Sequence, residues 1–206
     1  RVNYRPFDVR YIYFASGFIE RNRLDVMSHF IAGKNIGLVF KLGNAEENSS
    51  SVHVTSNIID FRSWSRPGMQ GGDYVAPIYL YPDDGTERIP NLNIDEVKLF
   101  TDRLNLAFVA EKQSDEQSFA PIDILDYIYA VLHSPNYREK YKEFLKIDFP
   151  RIPYPNIETF WQLVAIGKQI RELHLMESNL LDELITTYPQ AGDNIITRKL
   201  TKTSIG

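Results

Sequence analysis

The sequence predicts an α+β protein: a twisted, largely antiparallel sheet lobe with flanking helices over residues 1–120, and a helical supporting region over residues 121–206 packed with it as one domain. Three observations predict this. Short runs rich in β-branched and aromatic residues recur through the first 80 positions. Sustained helical spacing of apolar residues dominates only from residue 121, and turn-rich or proline-rich segments punctuate both halves. At 206 residues and 43% hydrophobic, the chain can bury a substantial core.

Taken in order, VRYIYF at 9–14 has strand composition. RLDVMSHFIAG then places Leu24, Met27 and Ile31 on one helical face, with Asn22 as the expected cap and Gly33 as the stop. NIGLVFKL at 35–42 and SVHVT at 51–55 read as strands separated by the polar turn NAEENSSS. YVAPIYLY at 74–81 reads as another strand, and Pro77, which cannot donate to a ladder, assigns it to an edge or an irregular entry. PDDGTERIPNLN is turn-rich and marks the boundary region, after which DEVKLF at 95–100 follows Asn93 as the first turn of a helix. PIDILDYIYAVLH puts Ile124, Ile128, Val131 and Leu132 near one face, and Ser134 followed by Pro135 signals a new helix start. IDFPRIPYPN at 147–156 must be extended because of its three prolines. Phe160, Trp161, Val164, Ile170, Leu173, Leu180, Leu181 and Leu184 form an apolar stripe through 158–187, interrupted near Ser178 and Asn179.

Charge narrows the function classes. The 23 Lys and Arg against 27 Asp and Glu give a formal charge of −4, which excludes a generic polycation that coats nucleic acid. Residues 81–120 hold most of the acidic excess, with nine acids against four bases, so an anion-binding face belongs elsewhere. The absence of Cys removes disulfides, thiolate nucleophiles and cysteine zinc sites. No run approaches the roughly 20 apolar residues that span a bilayer, and RVNYRPFDVR lacks the apolar centre of a signal peptide. The expected location is cytoplasmic, with no membrane partner, and the structured opening suggests a piece of a larger chain.

The motifs exclude more chemistry than they supply. His29, His53, His133 and His174 fall in four different expected elements, without the local spacing of a metal site, so only long-range convergence could build one. GMQGG at 68–72 matches neither a dinucleotide fingerprint nor a phosphate loop, and no serine sits in a nucleophile elbow. Asp83, Glu96 and Lys98 superficially resemble a magnesium nuclease set, although acids at 95 and 96 suit a helix N-terminus equally well. Arg5, Arg10, Arg21, Arg23, Lys34, Lys41, Arg62 and Arg66 interleave with Tyr11, Tyr13, Phe61 and Trp64, the composition of a face able to position phosphates and present planar donors. FRSWSRPGMQGGDY at 61–74 is the sharpest segment, a loop with planar donors that could enter a groove. From residues alone, nucleic-acid binding, protein docking and an enzyme site all stay open.

Seven strings carry a resemblance: YRPFDVRYIYF at 4–14, RNRLDVMSHF at 21–30, NIGLVFK at 35–41, VHVTSNIID at 52–60, APIYLYP at 76–82, ILDYIYAVLHSPNYREKYKEFLKIDFPRIPYP at 124–155 and IGKQIRELHLM at 166–176. Together they resemble the C-terminal target-recognition, or specificity, region of type ISP restriction-modification enzymes and related adenine-specific DNA methyltransferases. The resemblance implies that the chain recognises an asymmetric sequence in double-stranded DNA. It also implies that the target adenine is positioned for N6 methylation by a preceding S-adenosylmethionine-dependent methyltransferase domain of the same polypeptide. Such enzymes use an Asn/Asp-Pro-Pro-Tyr/Phe motif for the flipped base, and no such tetrapeptide occurs here, nor does a cofactor glycine motif. The expectation is therefore a non-catalytic fragment that holds no cofactor, within a parent that combines methyltransferase and restriction activity. On chemical grounds the base-contact candidates are Arg62 and Arg66 toward guanine, Gln70 toward adenine, and Trp64. The phosphate-contact candidates are Arg21, Arg23 and Lys34. The competing reading is a non-catalytic docking or scaffold module of a larger enzyme, motivated by net acidity and the long amphipathic C-terminal helix.

Overall fold

The computed structural model describes residues 1–15, 17–41, 52–63, 72–115, 117–145, 148–183, 185–187, 191–193 and 195. Its elements in order are β1 (Val2–Arg5), β2 (Asp8–Arg10), α1 (Leu24–Ile31), β3 (Gly37–Phe40), β4 (Val52–Thr55), β5 (Ile58–Ile59), β6 (Tyr74–Pro77), β7 (Tyr79–Leu80), β8 (Ile89–Pro90), α2 (Ile94–Leu104), β9 (Ala107–Phe108), β10 (Ser118–Phe119), α3 (Pro121–His133), α4 (Pro135–Leu145) and α5 (Ile157–His174), followed by a single 3₁₀ turn at Asn179–Asp182. The α+β class holds, with helices concentrated after residue 93 and short strands before it. Among the described residues the strands make four small sheets, in the orders β2-β1-β5, β4-β3-β6, β7-β8 and β10-β9. Pairing is mostly antiparallel; β1 with β5 and β9 with β10 are parallel.

The best sheet is β4-β3-β6, where β3 pairs antiparallel on both sides, Leu38 opposite Val54 and Ala76. Its edge strand β6 ends at Pro77, as a residue without an N–H requires. The expected strand at 74–81 is nevertheless two strands, because Ile78 donates its N–H to Ile36 while Tyr79 turns to pair with Pro90. The aromatic run at 11–14 is not a strand. Only Asp8–Arg10 pairs with β1, and Tyr11 and Tyr13 stand 82% and 73% exposed, with no partner strand among the described residues. Strand propensity reflects packing on a half-buried pleated surface, and this segment has no such surface.

Capping explains most helix ends. The Asn93 side chain accepts from the N–H groups of Asp95 and Glu96, and the Asn156 side chain accepts from Thr159 N–H. Ser134 Oγ accepts from Tyr137 N–H at 3.4 Å, and Pro135 is the first residue of α4. Asn22 does not cap α1: the cap residue is Arg23, in the left-handed region at φ 46°, with no side-chain bond. The long C-terminal helix stops at His174, thirteen residues before the periodicity does. Met176 takes a left-handed conformation at φ 61°, its N–H donates to Leu173 O, and Glu177 N–H donates to Glu172 O. That is the 6→1 and 5→2 pattern of a Schellman stop, built here without the usual glycine. Leu180 and Leu181 consequently lie in the exposed 3₁₀ turn and extend no stripe; Leu184 is outside the described residues.

The larger of two core clusters joins β4 to the helices, and a smaller one gathers Val2, Met27 and Ile58 of β1, α1 and β5. In the larger, Val52 and Val54 of β4 pack with Leu104, Leu106, Phe119, Ile124, Tyr127, Tyr129, Val131, Leu132, Phe160 and Val164. Its centre is the α3–α5 crossing. Gly167 is required there because a Cβ would collide with the backbone carbonyl of Asp126. Where the helices touch, Arg171 clasps Asp126 with Nε–Oδ1 2.6 Å and Nη2–Oδ2 3.0 Å, both side chains buried. Burial pushes the Asp126 carboxyl above its ordinary range, opposed by the Arg171 guanidinium. The proline segment is extended and its carbonyls serve the helices. Tyr127 Oη donates to Pro153 O at 2.5 Å and Tyr137 Oη to Arg151 O at 2.8 Å. These tyrosines are packing residues whose hydroxyls reach a backbone acceptor.

Candidate nucleic-acid interface

The loop singled out in the sequence begins directly after β5. Its two ends are tied together: Asp73 N–H donates to Phe61 O at 3.0 Å, and Ser63 Oγ donates to Asp73 Oδ2 at 3.1 Å. The Phe61 ring lies against Gly72, where a Cβ would collide with it. Asp60 completes the anchor by accepting from Arg62 N–H at 3.0 Å and from Arg5 Nη1 at 3.3 Å.

Arg62 is exposed at the start of the loop, its guanidinium 5.9 Å from the Phe61 ring centroid. Trp64, Arg66 and Gln70 fall outside the described residues. The phosphate-contact candidates divide. Arg21 and Arg23 precede α1 at positive φ, Arg21 3.8 Å from Glu20 and Arg23 3.3 Å from Asp25. Lys34, exposed after α1, lies elsewhere, at the rim of a cavity of about 510 Å³ lined also by Tyr79, Arg88, Glu111 and Lys112. The structure therefore joins Arg62 to Arg5 and Asp60, and sets Lys34 in a second grouping.

That second grouping was not legible in the sequence. Arg88 grips Glu111 with both ends of its fork, Nε–Oε1 2.7 Å and Nη2–Oε2 2.6 Å, lies 3.8 Å from the Tyr79 ring centroid, and donates from Nη1 to Lys34 O at 2.7 Å. The Arg88 hydrogen bonds hold the Glu111 carboxyl below its usual range, and burial pushes the Tyr79 hydroxyl up to about 12. Lys112 bonds Asp123 at 2.9 Å and stands over the Trp161 ring. Arg88 and Lys112 both sit in the acidic stretch 81–120, where charge counting pointed away from cations. No local spacing announces the pairing of positions 88 and 111.

The histidines show the same effect. His53 of β4, His133 at the end of α3 and His174 at the end of α5 converge, with His53–His174 and His133–His174 ring centroids 5.3 and 5.5 Å apart. Phe7, in the turn between β1 and β2, sets its edge against His53 and His174. Tyr129 Oη lies 2.5 Å from His174 Nδ1, and His133 Nδ1 lies 2.8 Å from Tyr129 O. Burial, with the neighbouring His174 and His133, lowers His53 to about 4; burial also lowers the other two. Among the described residues, no group of three His, Asp or Glu side chains is placed to hold a metal ion. His29 stays apart, its Nδ1 accepting from Tyr81 N–H. Glu96 occupies the first turn of α2, where it accepts from Tyr154 Oη, and Lys98 pairs with Asp95 at 3.6 Å. The helix-start reading of these acids is the one the structure shows.

Fold and surface define a non-repetitive α+β module with a loop whose ends are tied together and whose first residues carry an exposed arginine. A family model described as the Type ISP C-terminal specificity domain matches residues 1–204, and the chain belongs to that family. No curated protein matches it. Among solved structures it is similar to one described as the cryoEM structure of the DrdV–DNA complex, at 27% identity and a TM-score of 0.63, over 84% of this chain. The chain spans 15% of the length of that relative. Among the described residues no helix is long and apolar enough to cross a membrane.

Proposed function

We propose that this domain recognises a DNA target sequence for a type ISP restriction-modification enzyme, and that it positions the target adenine for N6 methylation by a preceding S-adenosylmethionine-dependent domain of the same polypeptide. The observation that carries the proposal is the specificity-domain match across residues 1–204; a relative of the same fold captured on DNA supports it. The clamped loop supports it further, because base discrimination requires planar donors held from a fixed base.

In this reading Arg62 and Arg66 present forks to guanine, Gln70 pairs with adenine, and Trp64 makes a base contact. Lys34 holds a phosphate, and Arg21 and Arg23 do so after exchanging their carboxylate partners, so each neutralises less DNA charge than a free cation would. The cofactor belongs to the preceding domain. This chain has no Asn/Asp-Pro-Pro-Tyr/Phe tetrapeptide, and no step of methyl transfer is assigned to its residues. The test is sequencing of methylated DNA from cells that express the full-length protein. One short asymmetric motif modified at N6 of adenine is expected; unmodified DNA or modification without a motif would refute the reading. Joint replacement of Arg62, Arg66 and Gln70 is expected to relax that motif, and an unchanged motif would refute the residue assignment.

A further inference from the structure

Among the described residues, positions 11–18 hold the most exposed aromatic surface of the domain: Tyr11, Tyr13 and Phe18 are 82%, 73% and 78% exposed, and Ile12 adds 44%. Tyr13 and Phe18 stack edge to face at 5.3 Å while remaining open to water. These three aromatic side chains alone present on the order of 500 Å² of surface. Exposed apolar patches of that size mark interaction sites.

Three observations select the occupant. Two of the adjoining cations are already neutralised: Arg10 is forked onto Asp8, Nη2–Oδ2 2.8 Å, and Arg5 pairs with Asp60 at 3.3 Å. A phosphate backbone draws little attraction from such paired charges, whereas an apolar protein surface needs none. The area matches contacts between domains of one chain, roughly 600–1,500 Å² in total, and falls short of the roughly 1,000 Å² or more per partner of obligate homodimers. Finally, the patch lies at the end of the domain where a preceding polypeptide would join. The Arg1 guanidinium is 5.8 Å from the Tyr11 ring centroid, the family is a C-terminal domain by description, and the matched relative is several times longer than this chain.

We infer that the aromatic surface of residues 11–18 is the docking face that fixes this domain against the folded region preceding it in the same polypeptide. The inference rests on the reading of the chain as the C-terminal domain of a longer enzyme. Docking through this face would hold the clamped loop at one orientation relative to the preceding domain, where a flexible linker alone would not.

The test places p-benzoylphenylalanine at Tyr11 and, separately, at Tyr13 of the full-length protein, with the same probe at the exposed Ile89 as background. After irradiation with and without target duplex, crosslinks are mapped by mass spectrometry on a mixture of light and heavy isotope-labelled protein. Expected are crosslinks within one polypeptide to residues more than about 50 positions before Arg1, at both sites, independent of DNA and absent from Ile89. Crosslinks to a second copy, to DNA alone, only to the immediately preceding linker, or to nothing would each overturn the inference. Both sites are solvent-exposed, so the probe leaves the core intact. Fluorescence anisotropy of the full-length protein on duplex DNA separates the two claims: DNA binding without the expected crosslinks removes the docking face alone, and the expected crosslinks without DNA binding remove the recognition reading alone.

Discussion

The α3–α5 crossing and the β2-β1-β5 surface both contain arginine–aspartate pairs, yet burial makes them different objects. Arg171–Asp126 is almost wholly enclosed, with two bonds of 2.6 and 3.0 Å and a glycine admitting the helices to close approach. Arg5–Asp60 sits with both side chains about 40% exposed at 3.3 Å. A buried fork cannot lose one member without stranding a charge, whereas an exposed pair can be exchanged for water at little cost. Rigidity in this protein resides in the helices; exchangeable contacts reside on the surface that carries the loop.

The largest effect should come from breaking the buried pair. Asp126→Ala is expected to destabilise the domain by about 3–5 kcal/mol, because Arg171 stays buried without its partner. Urea unfolding measures this, and Asp126→Leu combined with Arg171→Leu should recover most of the loss. A loss at Asp126 comparable to that of Asp60→Ala would erase the distinction between the two regions.

Acidification should loosen the helical side next. His53, His133 and His174 are held neutral, with folded values below the ordinary 6.5, so the unfolded chain takes up protons first as pH falls. Their contribution is complete above about 6.5 and declines down to about 4, the value for His53. His53 alone represents a loss on the order of 3 kcal/mol. His53→Gln should flatten the stability profile across that window in urea titrations at several pH values, and an unaltered slope would contradict the assignment.

On the loop side, stability should barely respond while recognition does. Arg62→Ala is expected to leave the unfolding midpoint unchanged and to cost about 1–3 kcal/mol of discrimination between target and one-base mismatch, read by competition binding of the full-length protein. A uniform loss across all sequences would reassign Arg62 to the phosphate backbone. The smallest effect is that of Lys34→Ala, which should reduce the slope of log affinity against log salt by about 1 without altering sequence preference. An unchanged slope would place Lys34 away from DNA and leave it as a rim residue of the Arg88–Glu111 cavity.

Which parts were legible follows from the range of the forces involved. Helices α2, α3 and α4 were readable because Asn93, Ser134 and Pro135 act within one turn of themselves. The end of α5 was not, because its stop relies on Met176 adopting a left-handed conformation that no glycine announces. Of the strand expected at 9–14, Val9 and Arg10 lie in β2, while 11–14 are not strand, because a strand exists only where a partner backbone is supplied and none of the described residues supplies one beside Tyr11. For the candidate site, the sequence picked out the loop that starts at Phe61 but could not show that Asp73 and Ser63 clamp it, since those bonds connect positions ten or more residues apart.

By itself, then, the sequence determined the class of fold, the local helix starts and the family resemblance carried by its strings, all of which depend on residues near one another in the chain. Tertiary structure alone decided the convergence of three histidines from β4, α3 and α5, the Arg88–Glu111 fork beside Lys34, the Asp126–Arg171 clasp over Gly167, and the exposure of the aromatic run at 11–18. Each of these arises when packing brings distant side chains out of water together, or leaves them in it, and burial is a property of the folded neighbourhood that no single residue carries.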